Sequence, residues 1–484
     1  MRLHQYCQND ITDNILEQIF SDLPEYKNLT CLSLSLNDNN GIKLQGAKVV
    51  RQFLQKCLNV TELKLFQSSN SFKNDGILEI TEAIKEMKNI QYLNLDFAYN
   101  NLDDNSAVLL SNTIKIYKNL STLILELTGN CFKDEGASSL SSIFTDCTHL
   151  KNLQISLGDN KIGDDGASIL AKELNNLTEI TSLEFYLWKN SITDQGVCAI
   201  SEGIGKCKQL ISLKLSLQKN QITDIGASSL GQILNQCTDL TVLYLYLWQC
   251  QIGNEGAASI GEGLKSCKKL IQLELSLSEN KISDEGVQAI GMGLSNFKNL
   301  RDFQFQLEKN IISDLGALSL GKGFSKCTQL QKLQFYICKN QIGNKGASYL
   351  IEKLSQCTQI NNLVLNLGKN LIEDKGAFDI SKWLLNFENL KELELSLMDN
   401  QITEQGYLSI GTSLSKMANL MSLILFFSKD EKYLKPSDFA NCKNIRILEL
   451  NIRNCFIYED QEYHRKKAQK IKRLVKLKIK AFDA

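Results

Sequence analysis

Residues 316–323 read GALSLGKG and come nearest to a chemical motif in this 484-residue chain. A phosphate-cradling loop needs Ser or Thr after its Gly-Lys to hold magnesium, and it needs a turn between strand and helix. Here Gly323 follows Lys322, and Ala317 to Leu320 fall at helical positions of a longer pattern. These glycines therefore read as structural. The pairs Gly261/Gly263, Gly291/Gly293 and Gly321/Gly323 read the same way, as mid-helix small residues that let neighbouring helices approach. His464-Arg465-Lys466 lacks the catalytic aspartate of a kinase loop, and no DFG follows it. The three histidines, His4, His149 and His464, lie far apart and no C-x-x-C pair occurs, so zinc is not expected. No nucleophile elbow is present. Triplets such as Asn59-Val60-Thr61 arise easily in a chain so rich in Asn, Ser and Thr. No catalytic, cofactor-binding or metal residue is assigned, and no cofactor is expected.

The fifteen cysteines point the same way. Cys57, Cys147, Cys207, Cys237, Cys267, Cys327 and Cys357 share one position of a repeating pattern, where Met87, Tyr117, Leu177 and Phe297 stand elsewhere. A slot shared with Leu and Phe is a core slot, in which a free cysteine acts as a small hydrophobe. Many free thiols favour a reducing compartment. The first ten residues hold no apolar stretch of signal-peptide type, and no window approaches the roughly 18 apolar residues of a membrane span. The expectation is a cytoplasmic protein.

The pattern behind these positions has a period of 30 residues. Asparagine recurs at that interval from Asn70 to Asn400, with Cys250 the one exception, and glycine follows six places later from Gly76 to Gly406, with Ser106 the one exception. Within a unit, Leu213, Leu215 and Leu217 alternate with Lys214, Ser216 and Gln218, the period of a half-buried strand. Asn220 and Ile222 turn the chain, with the amide bonding backbone groups freed at the strand end. Asp224 is placed to cap a helix. Ala227, Leu230, Ile233, Leu234 and Cys237 form one apolar helical stripe. Neither element can bury its face alone, so neighbouring units must stack.

These residues resemble the leucine-rich repeat family, and within it the ribonuclease-inhibitor-like subclass. The shared pattern is L-x-L-x-x-N-x-I-x-D-x-G-A-x-x-L, carried by Leu215, Leu217, Asn220, Ile222, Asp224, Gly226, Ala227 and Leu230. Ser212 stands where the family usually has its first leucine. Leu210 and Leu213 instead bracket a strand expected to be about two residues longer. The resemblance implies an α/β solenoid of horseshoe type, with a parallel β-sheet on the concave side and helices on the convex side.

About sixteen strands are expected in one continuous domain. Residues 1–29 should form a capping half-repeat, with Asp13 as its helix cap. Residues 30–427 form the regular repeats, with one extra residue near Asn39 and Asn40. Residues 428–484 form irregular repeats, with strands marked by Leu448/Leu450 and Leu477/Ile479, and a basic cap. From Phe456 onward the net charge is +5. This segment reads as a capping helix plus an edge strand whose alternating lysines block strand addition, or as a contact for an anionic surface.

Strand parity identifies the outward side chains of the concave face. They hold two lysines, six acids and no arginine, in a chain with 54 basic and 54 acidic residues, which argues against nucleic acid. Aromatic residues concentrate there. Glu184, Tyr186, Trp188 and Lys214 are followed by Tyr244, Tyr246, Trp248 and Glu274, with Tyr336 further on. Tyr and Trp dominate protein-binding hot spots, though neighbouring rings can also stack across a strand gap. The expectation is a monomeric, non-catalytic scaffold that binds a protein or peptide through this patch. An enzyme-regulating role, as in similar solenoids that activate a Ran-type GTPase or bind as inhibitors, is the alternative; such activators carry an acidic tail, and this one is basic. A third reading takes the chain as a relative of proteins in which such repeats follow a kinase or nucleotide-binding domain, and nothing in this sequence encodes such a domain.

Overall fold

The computed structural model describes residues 2–3, 11–38, 41–428, 444–453 and 476–482. The extra residue expected near Asn39 and the helix expected after Phe456 lie outside them. The chain divides into two compact units, Met1–Ile233 and Leu234–Ala484.

In the first unit, parallel strands pair in chain order: β1 (Arg2–Leu3), β2 (Cys31–Ser35), β3 (Glu62–Phe66), β4 (Tyr92–Asp96), β5 (Thr122–Glu126), β6 (Asn152–Ser156), β7 (Ser182–Tyr186) and β8 (Ser212–Ser216). The second unit repeats the scheme with β9 (Val242–Tyr246), β10 (Gln272–Ser276), β11 (Asp302–Gln306), β12 (Lys332–Tyr336), β13 (Asn362–Asn366), β14 (Glu392–Ser396), β15 (Ser422–Ser428), β16 (Ile447–Arg453) and β17 (Lys476–Phe482). A helix follows each strand from β1 to β14. Seventeen strands are thus described, against about sixteen expected; the addition is β1. The last two strands fall where Leu448/Leu450 and Leu477/Ile479 place them. The expected lengthening does not occur: β8 has five residues, and Leu210 is buried in the turn before it.

The side chains follow their periods. In β8, Leu213 and Leu215 are buried and Lys214 is part-exposed. In the helix Asp314–Phe324, Ala317, Leu320 and Phe324 face the core, so GALSLGKG is largely helix. Gly293 needs its lack of a side chain, since a Cβ there would lie 2.5 Å from the carbonyl oxygen of Gly261.

Each ladder asparagine ties its unit to the one before. Asn340 Nδ2 donates to the carbonyls of Ile337 (3.1 Å) and Cys338 (3.3 Å) in its own turn, and of Leu307 (2.9 Å) in the preceding one. Its Oδ1 accepts the N–H of Ile312 at 3.0 Å. The residue before each asparagine is left-handed, with φ between 51° and 58° from Ser69 to Asp399, apart from Gly129 at 68°.

The aspartate acts differently from the expectation. It is the first residue of its own helix, not the cap; Thr12, not Asp13, caps the first helix, and Ser313 caps Asp314–Phe324. Its carboxylate reaches forward to the next unit. Asp284 Oδ1 accepts the N–H groups of Ser313 (2.7 Å) and Gly316 (2.9 Å), and Oδ2 takes the Ser313 hydroxyl. Asp13 accepts Lys43 N–H in the same way, at 2.8 Å. The ladder glycine follows from this bond, because a Cβ on Gly316 would sit 2.6 Å from Asp284 Oδ1. Where serine replaces glycine, asparagine replaces aspartate, and Ser106 Oγ donates to Asn74 Oδ1 at 2.6 Å.

The cysteine column is buried as expected and has a further role. Its thiols donate to the last carbonyl of the preceding helix: Cys147 to Ile114 (3.6 Å), Cys327 to Leu294 (3.5 Å) and Cys357 to Phe324 (3.1 Å). Each of those carbonyls also accepts the backbone N–H three residues further on, from Tyr117, Phe297 and Cys327. Burial pushes the Cys147, Cys327 and Cys357 thiols up to about 12, which leaves them unreactive near neutrality.

Gln67 breaks the pattern. It is fully buried in a column otherwise filled by Phe97, Leu127 and Leu157, and neither amide atom has a hydrogen-bond partner. Gln67→Leu is expected to stabilise the protein by roughly 1–3 kcal/mol, because an unpaired buried amide is replaced by apolar contact. A higher urea midpoint checks this, and a lower one refutes it. Asn340→Ala leaves three carbonyls and one N–H without that partner, and is expected to cost roughly 2–4 kcal/mol in the same titration.

Candidate functional site

The outward residues of the strands make an open face in each unit. In the first, Glu184 on β7 joins two neighbours: Tyr186 Oη donates to it at 2.8 Å, and Lys214 on β8 pairs with it at 2.9 Å. Trp188 lies just past β7 with its indole across Gly158, where a Cβ would come 2.2 Å from Nε1. These four side chains are half-buried, and Glu184, Tyr186 and Lys214 are partly satisfied by one another.

In the second unit, Tyr244 and Tyr246 on β9 meet edge to face at 6.4 Å, and the Tyr246 hydroxyl donates to Glu274 on β10. Trp248 lines an open depression of about 500 Å³ together with Ser276, Ser278, Glu279, Gln306, Glu308, Lys309, Cys338 and Lys339. Tyr336 stands on β12, three strands from β9, beside Gln306 on β11. The candidate residues thus fall into a group of four on β7–β8 and a group of four on β9–β10, with Tyr336 apart.

Burial raises carboxylates on both faces. Burial raises Glu308 above the usual carboxylate range, partly opposed by the hydrogen bond from Ser278. Burial raises Glu394 too, with Glu449 adding repulsion. Neither forms an ion pair among the described residues. In the first unit, burial pushes Asp96 up to about 6, with Glu126 and Asp38 adding to the effect and the Ala98 N–H opposing it.

The depression was not singled out by sequence. Most of its residues appear among the outward positions, yet only Trp248 carries an aromatic flag. The available signal was the pair of short side chains, Ser276 and Ser278, beside a tryptophan, which leaves a hollow.

Four stretches, residues 120–141, 146–171, 210–231 and 273–291, match the family described as Leucine Rich repeat. Together with the 30-residue strand–helix unit described above, these matches make the chain an α/β leucine-rich repeat protein. No curated protein matches it. Among the described residues, no helix is long and apolar enough to cross a membrane.

Asp96 gives a pH test. An unfolded aspartate titrates near 4, so between about pH 4 and 6 the folded chain holds the extra proton, and stability falls as pH rises through that window. Asp96→Asn is expected to abolish this component and to leave the protein more stable at pH 7, by on the order of 2 kcal/mol. Urea midpoints of both proteins at pH 4 and pH 7 check it. An equal wild-type-to-variant difference at the two pH values would contradict it.

Proposed function

We propose that the chain is a non-catalytic interaction scaffold of the ribonuclease-inhibitor-like subclass, which recognises a protein or peptide through the open faces of its sheets. The observation that carries this reading is the division of labour among side chains. Asparagine, aspartate, glycine and cysteine are taken up by bonds between successive units. The outward positions hold half-buried tyrosines, tryptophans and glutamines together with buried serines, a composition suited to a partner surface. The buried free thiols support a cytoplasmic setting. Acidic outward residues outnumber basic ones, which favours protein over nucleic acid.

Selection of binders from a displayed nonapeptide library against the full chain tests this. Trp188→Ala and Trp248→Ala, singly and together, are expected to weaken selected binders at least tenfold while cooperative unfolding is retained. Full affinity in the double variant would remove the aromatic positions from the proposed surface. A chain that stimulates GTP hydrolysis by a Ran-type GTPase would instead favour the regulatory role.

A further inference from the structure

The depression in the second unit brings together an indole, a desolvated carboxyl and an unpaired buried hydroxyl; Ser396, at the same repeat position on β14, is likewise unpaired but lies outside the hollow. Ser276, the last residue of β10, is 1 % exposed, and its hydroxyl has no hydrogen-bond partner. It lines the hollow together with Trp248, Gln306 and Glu308. An orphaned buried hydroxyl is costly unless something meets it. Glu308 is in a similar position: its carboxyl is drawn out of water, accepts the Ser278 hydroxyl, and has no cationic partner among the described residues. Of the two lysines, Lys309 is committed to Glu279 at 2.6 Å, and Glu279 also takes Gln249 at 2.9 Å.

The hollow is lined by two carboxylates, Glu279 and Glu308, and by two lysines, Lys309 and Lys339. On β9 to β15, the outward residues that share the columns of Tyr244, Tyr246 and Trp248 include Glu274, Glu308 and Glu394 and no lysine, arginine or histidine. A cation entering beside Glu308 meets a desolvated carboxylate, a tryptophan face suited to cation–π contact, and an acceptor in the Ser276 hydroxyl. An apolar side chain would leave Ser276 without a partner and Glu308 without a counter-charge, and an acidic one would add repulsion.

We infer that this depression is a pocket for a lysine or arginine side chain of the partner, seated against Trp248 and paired with Glu308. The inference rests on the interaction role proposed above, and it names the partner's chemistry. Planar guanidinium stacks on an indole and offers several donors at once, so arginine is preferred over lysine.

The test uses the full chain and acetylated nonapeptide libraries whose central residue is fixed as Arg, Lys, Leu or Asp. Binding is expected at least tenfold tighter for the Arg library than for the Leu or Asp libraries. Glu308→Gln, which keeps size and hydrogen bonding, is expected to remove that preference. Lys339→Ala, which removes a like charge from the lining, is expected to leave it equal or stronger. Binding with no preference for a basic centre, or a preference that survives Glu308→Gln, overturns the pocket and leaves the interaction role standing. Failure of every library overturns both. A second measurement does not depend on peptides. Cys338 lines the same hollow, so a cationic methanethiosulfonate should modify it at least tenfold faster than an anionic one, as read by mass spectrometry of its peptide. Equal rates, or rates indifferent to Glu308→Gln, count against the pocket.

Discussion

The structure depends on side chains that bond across the boundary between successive repeats. Asn340 gathers carbonyls from two units and an N–H from the earlier one; Asp284 holds the start of the next helix. Each bond satisfies a backbone group that the strand–turn–helix unit cannot satisfy itself. The turn before the asparagine is left-handed at a lysine, glutamate or aspartate in most units, which costs roughly 1–2 kcal/mol per residue relative to ordinary backbone. The asparagine amide accepts that geometry and offsets it, because its donors reach the carbonyls that the bend turns inward. A unit removed from its neighbours would keep the strain and lose much of the bonding, so stability accrues by stacking.

The same constraint explains why many aspartates, cysteines and glycines of the chain recur at fixed positions of the repeat. Aspartate is positioned by helix starts, and cysteine by the last carbonyl of the preceding helix. Glycine marks close approach, either of a carboxylate, as at Gly316, or of a neighbouring helix backbone, as at Gly293. What varies from unit to unit is the outward residue of each strand, so the open faces are where the sequence is free to encode recognition.

Much of this was legible in the sequence, because columns of Leu, Asn and Gly at a fixed period leave little freedom. The misreadings share a cause. Asp224 and Asp13 were read as caps of their own helices, since capping rules look a few residues ahead. The carboxylate of Asp284 instead meets groups 29 and 32 residues away. Leu210 was read as part of the strand because it is apolar and in phase, yet a buried leucine can equally sit in the turn that leads in. Strand parity placed Trp188 on the outward face, but its half-burial depends on Gly158 in the preceding repeat. Gln67 was invisible as an anomaly until its column could be read beside Phe97 and Leu127. In each case the missing information was the partner in the adjacent unit.

The two open faces then differ in a way that bears on recognition. On β7 and β8, Glu184 already has its lysine and its tyrosine, so a charged partner would have to displace bonds that exist. In the hollow beside Trp248, Ser276 is buried without a hydrogen-bond partner, and Glu308 is withdrawn from water with the Ser278 hydroxyl as its donor and no ion pair among the described residues. An unsatisfied buried group lowers stability, and the stack carries several, at Gln67, Asn70 and Ser396 as well as at Ser276; only Ser276 among these lines the hollow. A group left incomplete by the fold discriminates sharply between a ligand that completes it and one that does not. The repeat makes the stack stable enough to carry such a site, and the departures from the repeat define what it can bind.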